Sequence, residues 1–278
     1  MALISPNSFN CVVALGSRDD RAGAIKWVGT GTLIGRFFKK FSATQSQYHV
    51  FLTTNKHVLK GHKAIVVRFN PIEAQPAKDY DIPLYDPSGN ALWKEHPDSD
   101  IAAIGINADV LQAEGIKYNY FHSDAQLMTL SDMAALGVSE GDFIYVLGFP
   151  LGIVDTDHQY VIARSGIVAR LRDTLEKRGG EFLIDAAVFP GNSGGPVIYK
   201  PEIISIDGTP SVAKSGLIGM VAGYLSYRDV ALSRQTGKSR VVFEENSGLA
   251  MVIPVDFIME TIEACFATTN IKEEPAAR

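Results

Sequence analysis

Cysteine is scarce in this chain: Cys11 and Cys265 are the only two among 278 residues. They can form one bridge at most, so a disulfide-stapled framework is excluded and a reducing compartment is expected. A basic excess is missing too. Lys and Arg number 26 against 31 Asp and Glu, a net charge of −5, which leaves no electrostatic footprint for nucleic acid or an anionic membrane surface. No apolar run approaches the roughly 18 residues of a membrane-crossing helix. The start, Met1-Ala2-Leu3-Ile4-Ser5-Pro6, has neither the basic segment nor the apolar stretch of a signal peptide. The expectation is a cytoplasmic protein. The six histidines, His49, His57, His62, His96, His122 and His158, include no His-x-x-x-His pair, and no Cys-x-x-Cys occurs, so neither metal nor cofactor is expected. His96 with Asp98 and Asp100 is the one grouping with metal-corner chemistry. Gly29-x-Gly31 lacks the third glycine and the helix of a dinucleotide loop and reads as a tightly packed strand.

What is present is an ordinary globular composition, 46% hydrophobic and 21% charged, enough for a sizeable core. Short β-type runs punctuated by Gly, Pro, Asn and Asp dominate: Phe9–Leu15, Trp27–Phe37, Tyr48–Thr53, Ala64–Phe69 and Ile101–Ile106. Asn70 to Pro97 reads as a long excursion with one strand pair. Residues 107–140 suggest one or two helical turns at 110–114 and at 131–136, the second capped by Ser131. The β pattern then repeats at Phe143–Gly148, Tyr160–Leu171, Glu181–Ala187, Pro196–Tyr199, Leu217–Ala222 and Leu249–Ile253. Two β units of similar size fit a double barrel. From Pro254 the period changes: Phe257, Ile258, Ile262 and Cys265 recur at helical spacing, predicting a closing amphipathic helix over 254–267 with a frayed tail, 268–278.

The segment Phe189-Pro190-Gly191-Asn192-Ser193-Gly194-Gly195-Pro196 boxes one hydroxyl among three glycines. Such a loop can adopt backbone angles that a Cβ resists and can aim consecutive N–H groups outward, where they can hold an oxyanion. In isolation it is also a hairpin turn. A serine nucleophile needs an imidazole base oriented by a carboxylate. Upstream, the strand-like Tyr48–Thr53 delivers His57, and Asp98-Ser99-Asp100 precedes the run Ile101–Ile106.

The order His57, Asp100, Ser193, within Thr-x-x-His, Asp-Ile-Ala and Gly-x-Ser-Gly-Gly-Pro, resembles the chymotrypsin-like serine peptidases. Gly29–Ile34, Gly141–Gly152, Ser165–Val168, Asp185-Ala186-Ala187 and Gly248–Pro254 are similar to the bacterial trypsin-like branch that includes the HtrA (Deg) proteases. The resemblance runs from about Phe9 to about Phe266, which leaves no room for the PDZ module that HtrA proteins append. It implies an all-β fold of two six-stranded antiparallel barrels, 9–125 and 140–253, in one peptidase domain, 1–267. It also implies a serine endopeptidase with His57 as general base, Asp100 (rather than Asp98) as its orienting carboxylate and Ser193 as nucleophile. The N–H groups of Gly191 and Ser193 would form the oxyanion hole. Ala187 at the pocket base, the backbone-holding strand Ala222-Gly223-Tyr224 and the wall from Gly248 would bind substrate. None of these is charged, so an apolar side chain is the expected guest. Asn192 stands where many secreted relatives carry aspartate, and no Arg before Ile-Val-Gly-Gly occurs, so zymogen cleavage is not expected. The implied partners are a protein or peptide substrate and a regulatory partner or homo-oligomer. The alternative is a catalytically silent module that holds a peptide by edge pairing.

Overall fold

The computed structural model describes residues 3–19, 23–42, 45–177, 180–201 and 214–268. The segment expected as a tail lies outside them beyond Thr268. A single turn of helix, α1 (Pro6–Phe9), leads into β1 (Val12–Arg18), β2 (Ile25–Lys40) and β3 (Ser46–Thr54). The one-turn helix α2 (Lys56–Leu59) follows, then β4 (Ala64–Pro71), β5 (Lys78–Pro83), β6 (Trp93–Glu95) and β7 (Ala102–Gly105). After α3 (Ala108–Ala113) come β8 (Ile116–Lys117) and β9 (Phe121–His122), and α4 (Leu130–Leu136) crosses to the second half. There β10 (Phe143–Gly148), β11 (Ile162–Arg170), α5 (Arg172–Lys177), β12 (Phe182–Asp185), β13 (Pro196–Tyr199), β14 (Gly216–Leu232) and β15 (Ser239–Pro254) end in α6 (Val255–Thr268).

The second half is a closed six-stranded barrel, β10-β11-β12-β15-β14-β13, antiparallel at every seam. The first half is a nine-stranded sheet in the order β5-β4-β1-β2-β3-β7-β6, with β8 on β4 and β9 on β2. This is the chymotrypsin-type double unit, with two refinements of the expectation. Among the described residues the first unit has nine strands, seven of them along an open path, rather than six on a closed one, and β9 joins β2 in parallel. The excursion 70–97 supplies two separate edge pairings, β5 on β4 and β6 on β7.

Period-2 alternation explains where the cores sit. In β3, Val50 and Leu52 point into the first unit, while Phe51 points the other way, toward α6. Ala102 and Ile104 of β7 face inward and Ala103 outward in the same manner. Strands covered on both faces are apolar throughout, as Val12 to Leu15 are. Val255, Ile258, Ile262 and Cys265 of α6 are all buried, at the expected three-to-four spacing. Helix α4 departs from the sequence reading. Its cap is Thr129, not Ser131, and Thr129 and Asp132 form a reciprocal capping box that satisfies two N-terminal amides.

Polar side chains fasten the units to each other. Gln159, buried, accepts from Ala14 N–H at 2.9 Å and donates to Val12 O at 3.0 Å. Its backbone N–H donates to Asn70 Oδ1, and Asn70 Nδ2 donates to its carbonyl, at 2.7 and 2.8 Å. Arg68, paired with Asp79, donates to Asp155 O at 2.6 Å.

Candidate active site

Strand β3 ends at Thr54, and the one-turn helix α2, which begins two residues later at Lys56, carries His57. Its imidazole Nδ1 lies 2.5 Å from Asp100 Oδ2, and its backbone N–H donates to Asp100 Oδ1 at 3.1 Å. An ionised carboxylate only accepts, so Nδ1 carries the proton and Nε2 keeps its lone pair. Asp100 is held in turn by Asn55, whose side-chain amide donates to its carbonyl at 2.7 Å. The histidine side chain is half exposed, as a candidate base would have to be to meet a substrate.

Asp98, the other carboxylate in this loop, is exposed; its backbone N–H donates to His96 Nδ1 at 3.1 Å. His96 is buried and its Nε2 lies 2.9 Å from Glu260 Oε2 on α6. Both ring nitrogens of His96 therefore have protein partners, and Asp100 is engaged by His57. Rather than forming a metal corner, His96 ties the Asp100 loop to α6. No local pattern could signal this tie, because Glu260 lies 164 residues away.

The serine loop rests on β2. Thr30 N–H donates to Ser193 O at 2.9 Å, Thr30 Oγ1 to Gly191 O at 2.7 Å and Thr32 Oγ1 to Gly194 O at 2.9 Å. Both threonines are fully buried. Asn192, buried as well, closes the loop on itself, accepting from Phe189 N–H through Oδ1 at 3.1 Å and donating its own N–H to Phe189 O at 3.0 Å. Gly191 holds φ at +97° and Gly194 at +86°. A Cβ would meet Phe149 O at 2.3 Å in the first case and Thr30 O at 2.1 Å in the second, so the glycines are dictated by angle and space together.

The loop's amides can be accounted for one by one. Asn192 N–H goes to Phe189 O, Gly194 N–H to Val221 O and Gly195 N–H to Asn192 O. Among the described residues, the N–H groups of Gly191 and Ser193 have no partner, which leaves two donors for a developing oxyanion. Ser193 Oγ does not bond to His57 here. It points to the carbonyl of Ala222 at 3.4 Å, too long for more than a weak hydrogen bond.

The residues expected around the substrate gather next to this loop. Ala222 is buried, Gly223 and Tyr224 are half-buried, and Ala187 is exposed. Gly248 accepts from Ala186 N–H at 3.0 Å. One charge escaped the sequence reading. Asp185 lies two residues before Ala187, and its Oδ1 would stand 3.8 Å from a Cβ built on Gly248. Its exposure leaves that charge solvated.

The protein-family model described as a trypsin-like peptidase domain matches residues 29–201, a span that takes in His57, Asp100 and Ser193. No curated protein matches the chain. Solved structures similar to it include the protease domain of MamO from Magnetospirillum magneticum in its apo form. That structure is 14% identical over 92% of this chain and 98% of that one, with a TM-score of 0.48. Another is the inactive form of a serine-to-alanine mutant of Rv3671c from M. tuberculosis H37Rv. It is 16% identical over 95% of this chain and 90% of that one, with a TM-score of 0.45. The paired histidine and aspartate, the threonine-anchored serine loop and the family match over more than half the chain agree: this protein is a member of the trypsin-like peptidase family.

Proposed function

We propose that the chain is a serine endopeptidase acting through Ser193, His57 and Asp100. The observation that carries this reading is the pairing of His57 with Asp100 just beyond Thr54, which lies against Gly194, together with two loop amides that have no partner among the described residues. Ser193 Oγ forms a bond to the scissile carbonyl carbon as its proton passes to His57 Nε2, and the carbonyl π electrons move onto the oxygen. That oxyanion is held by the N–H groups of Gly191 and Ser193. Collapse breaks the C–N bond, with His57 returning its proton to the departing amine. Water then repeats the sequence on the acyl-serine and restores the hydroxyl. The residues Ala187, Ala222, Gly223, Tyr224 and Gly248 are themselves uncharged and the nearby Asp185 is solvated, which favours an apolar residue before the cleaved bond. Two buried free thiols support a reducing, cytoplasmic setting.

A second reading is favoured by one observation: Ser193 Oγ faces Ala222 O, not His57. On this reading the groove holds a peptide without cutting it. A fluorophosphonate probe separates the two. Labelling of the wild type but not of Ser193→Ala is expected from the peptidase; a wild type that stays unlabelled across neutral and alkaline pH overturns it.

A further inference from the structure

Strands β14 and β15 outrun their barrel. Strand β13 pairs with β14 only as far as Met220, and β12 reaches β15 only between Leu249 and Val252. From Ser226 to Leu232 the two strands continue as a lone ribbon against Ser239 to Asn246, with Ser233 N–H closing on Lys238 O at the tip. A two-stranded ribbon in water is marginal by itself. This one nevertheless carries apolar side chains on both faces. Val230 sits opposite Val242 on one face, and Ala231 opposite Val241 with Phe243 and Tyr227 on the other. Tyr227, Val230, Leu232, Val241, Val242 and Phe243 are between 42% and 62% exposed. Surface apolar residues gathered in this way mark a binding element.

The position of its free edge identifies the occupant. Val221 is the last β14 residue tied to the serine loop, through Gly195 O and Gly194 N–H. From Ala222 to Leu232 the edge of β14 away from β15 has no strand partner among the described residues. That edge begins beside Ser193, whose Oγ lies 3.4 Å from Ala222 O. Because β14 runs away from the serine, a strand added antiparallel to it places the residues N-terminal to the cleaved bond along the ribbon. The register shifts at Ala222, at Leu225 and between Ala231 and Leu232 twist the ribbon but do not cover its edge.

We propose that the ribbon is a substrate-binding arm, on which an extended segment of the substrate, N-terminal to the cleaved bond, adds as a third strand from Leu225 to Leu232. This rests on the peptidase reading above. Eight residues of strand span about 26 Å, so the arm adds about eight residues of main-chain pairing beyond the three at Ala222, Gly223 and Tyr224. Pairing supplies affinity, and the apolar residues on both ribbon faces select alternate side chains of the same kind.

The test is a series of peptides sharing one cleaved bond but carrying about three, seven or eleven residues before it. Wild-type kcat/KM is expected to rise with length by about ten-fold or more, the worth of one net hydrogen bond. Val230→Asp, and a variant in which 227–245 is replaced by an Asn-Gly turn joining the Ser226 and Asn246 pair, are expected to lose that rise. Binding of the longest peptide to Ser193→Ala, read by fluorescence anisotropy, should weaken about ten-fold when either arm change is added. This second readout needs no hydrolysis. Arm-dependent binding by a wild type that no fluorophosphonate labels would sink the peptidase reading and leave the arm standing. Equal kcat/KM at every length, or arm variants that depress all lengths alike, would overturn the arm. So would a wild-type dimer in sedimentation that becomes monomeric when the ribbon is shortened, with length dependence unchanged.

Discussion

Leu151 donates its backbone N–H to the carbonyl of Pro190 at 2.6 Å, and it does so from φ 58°, the one non-glycine residue in the left-handed region among those described. In a trans peptide the carbonyl and the following N–H point in opposite directions. Fixing Pro190 O toward Leu151 therefore turns Gly191 N–H the other way, where it is left without a partner. The strained residue costs on the order of 1 kcal/mol and holds one of the two proposed oxyanion donors in place.

Replacing that residue tests the link. Leu151→Pro deletes the N–H and forbids the angle. Its fluorophosphonate labelling rate is expected to fall by about 10²-fold, the cost of losing one oxyanion donor. Leu151→Gly keeps the N–H and accepts the angle, and the side chain is exposed, so labelling near the wild-type rate is expected. Equal losses in both variants would break the connection.

The carboxylate assignment makes a sharper demand. Asp100→Asn should lower turnover on the order of 10⁴-fold by stabilising the wrong imidazole tautomer. Asp98→Asn, which touches no ring nitrogen of His57, should stay near wild type. Steady-state kinetics on one peptide decide it, and a larger loss at Asp98 would refute the assignment.

His49 predicts a pH effect on stability. Its ring packs against Phe38 and Phe266 at centroid distances of 4.9 and 5.1 Å, and its Nε2 is buried without a partner among the described residues. Desolvation first, and the charge of Arg36 second, hold its pKa below the usual histidine value of 6.5. Below that value the unfolded chain takes up a proton that the folded one resists, so stability rises with pH there and is lost as pH falls. The wild-type melting temperature should therefore drop from pH 7.5 to pH 5.5 by more than that of His49→Phe. Parallel curves would remove His49 as the cause.

Both cysteines are free and buried, each thiol facing a carbonyl, Asn7 O for Cys11 and Ala103 O for Cys265. Burial pushes both thiols up from their ordinary range, away from the reactive thiolate. A disulfide reagent should find almost no thiol in the native protein and both after denaturation, and a strong reductant should change neither activity nor melting temperature. A melting temperature that drops on reduction would show a bridge.

Gln159→Leu should destabilise the fold by about 2–4 kcal/mol in urea unfolding, because it strands the N–H of Ala14 and the carbonyl of Val12 inside the protein. A loss under about 0.5 kcal/mol would mean that water replaces the amide.

Much of this was legible beforehand, and the exceptions share a cause. Phe143–Gly148 and Pro196–Tyr199 match β10 and β13 at both ends, since burial and turn residues bound them. The arm was missed beyond Tyr224 and before Leu249, because a strand bathed in solvent on both faces, with Arg228, Asp229, Glu244 and Glu245 in it, shows no alternation of burial. Ser131 looked like a helix cap, but Thr129 has the partner, Asp132, at the spacing a capping box requires. Glycine spacing could mark the serine loop, but not the threonine hydroxyls beneath it. Their partners, Gly191 and Gly194, lie more than 160 residues away.

Those threonines have a consequence for how the protein is made. The loop bearing Ser193 belongs to the second unit, yet its carbonyls at Gly191, Ser193 and Gly194 are bound by a strand of the first. Neither half of the chain can shape a competent nucleophile alone. On the peptidase reading the molecule is a two-input gate, and labelling at Ser193 is expected to vanish whenever either half melts. A chain divided between His122 and Leu130 should regain labelling at Ser193 only when the two fragments find each other.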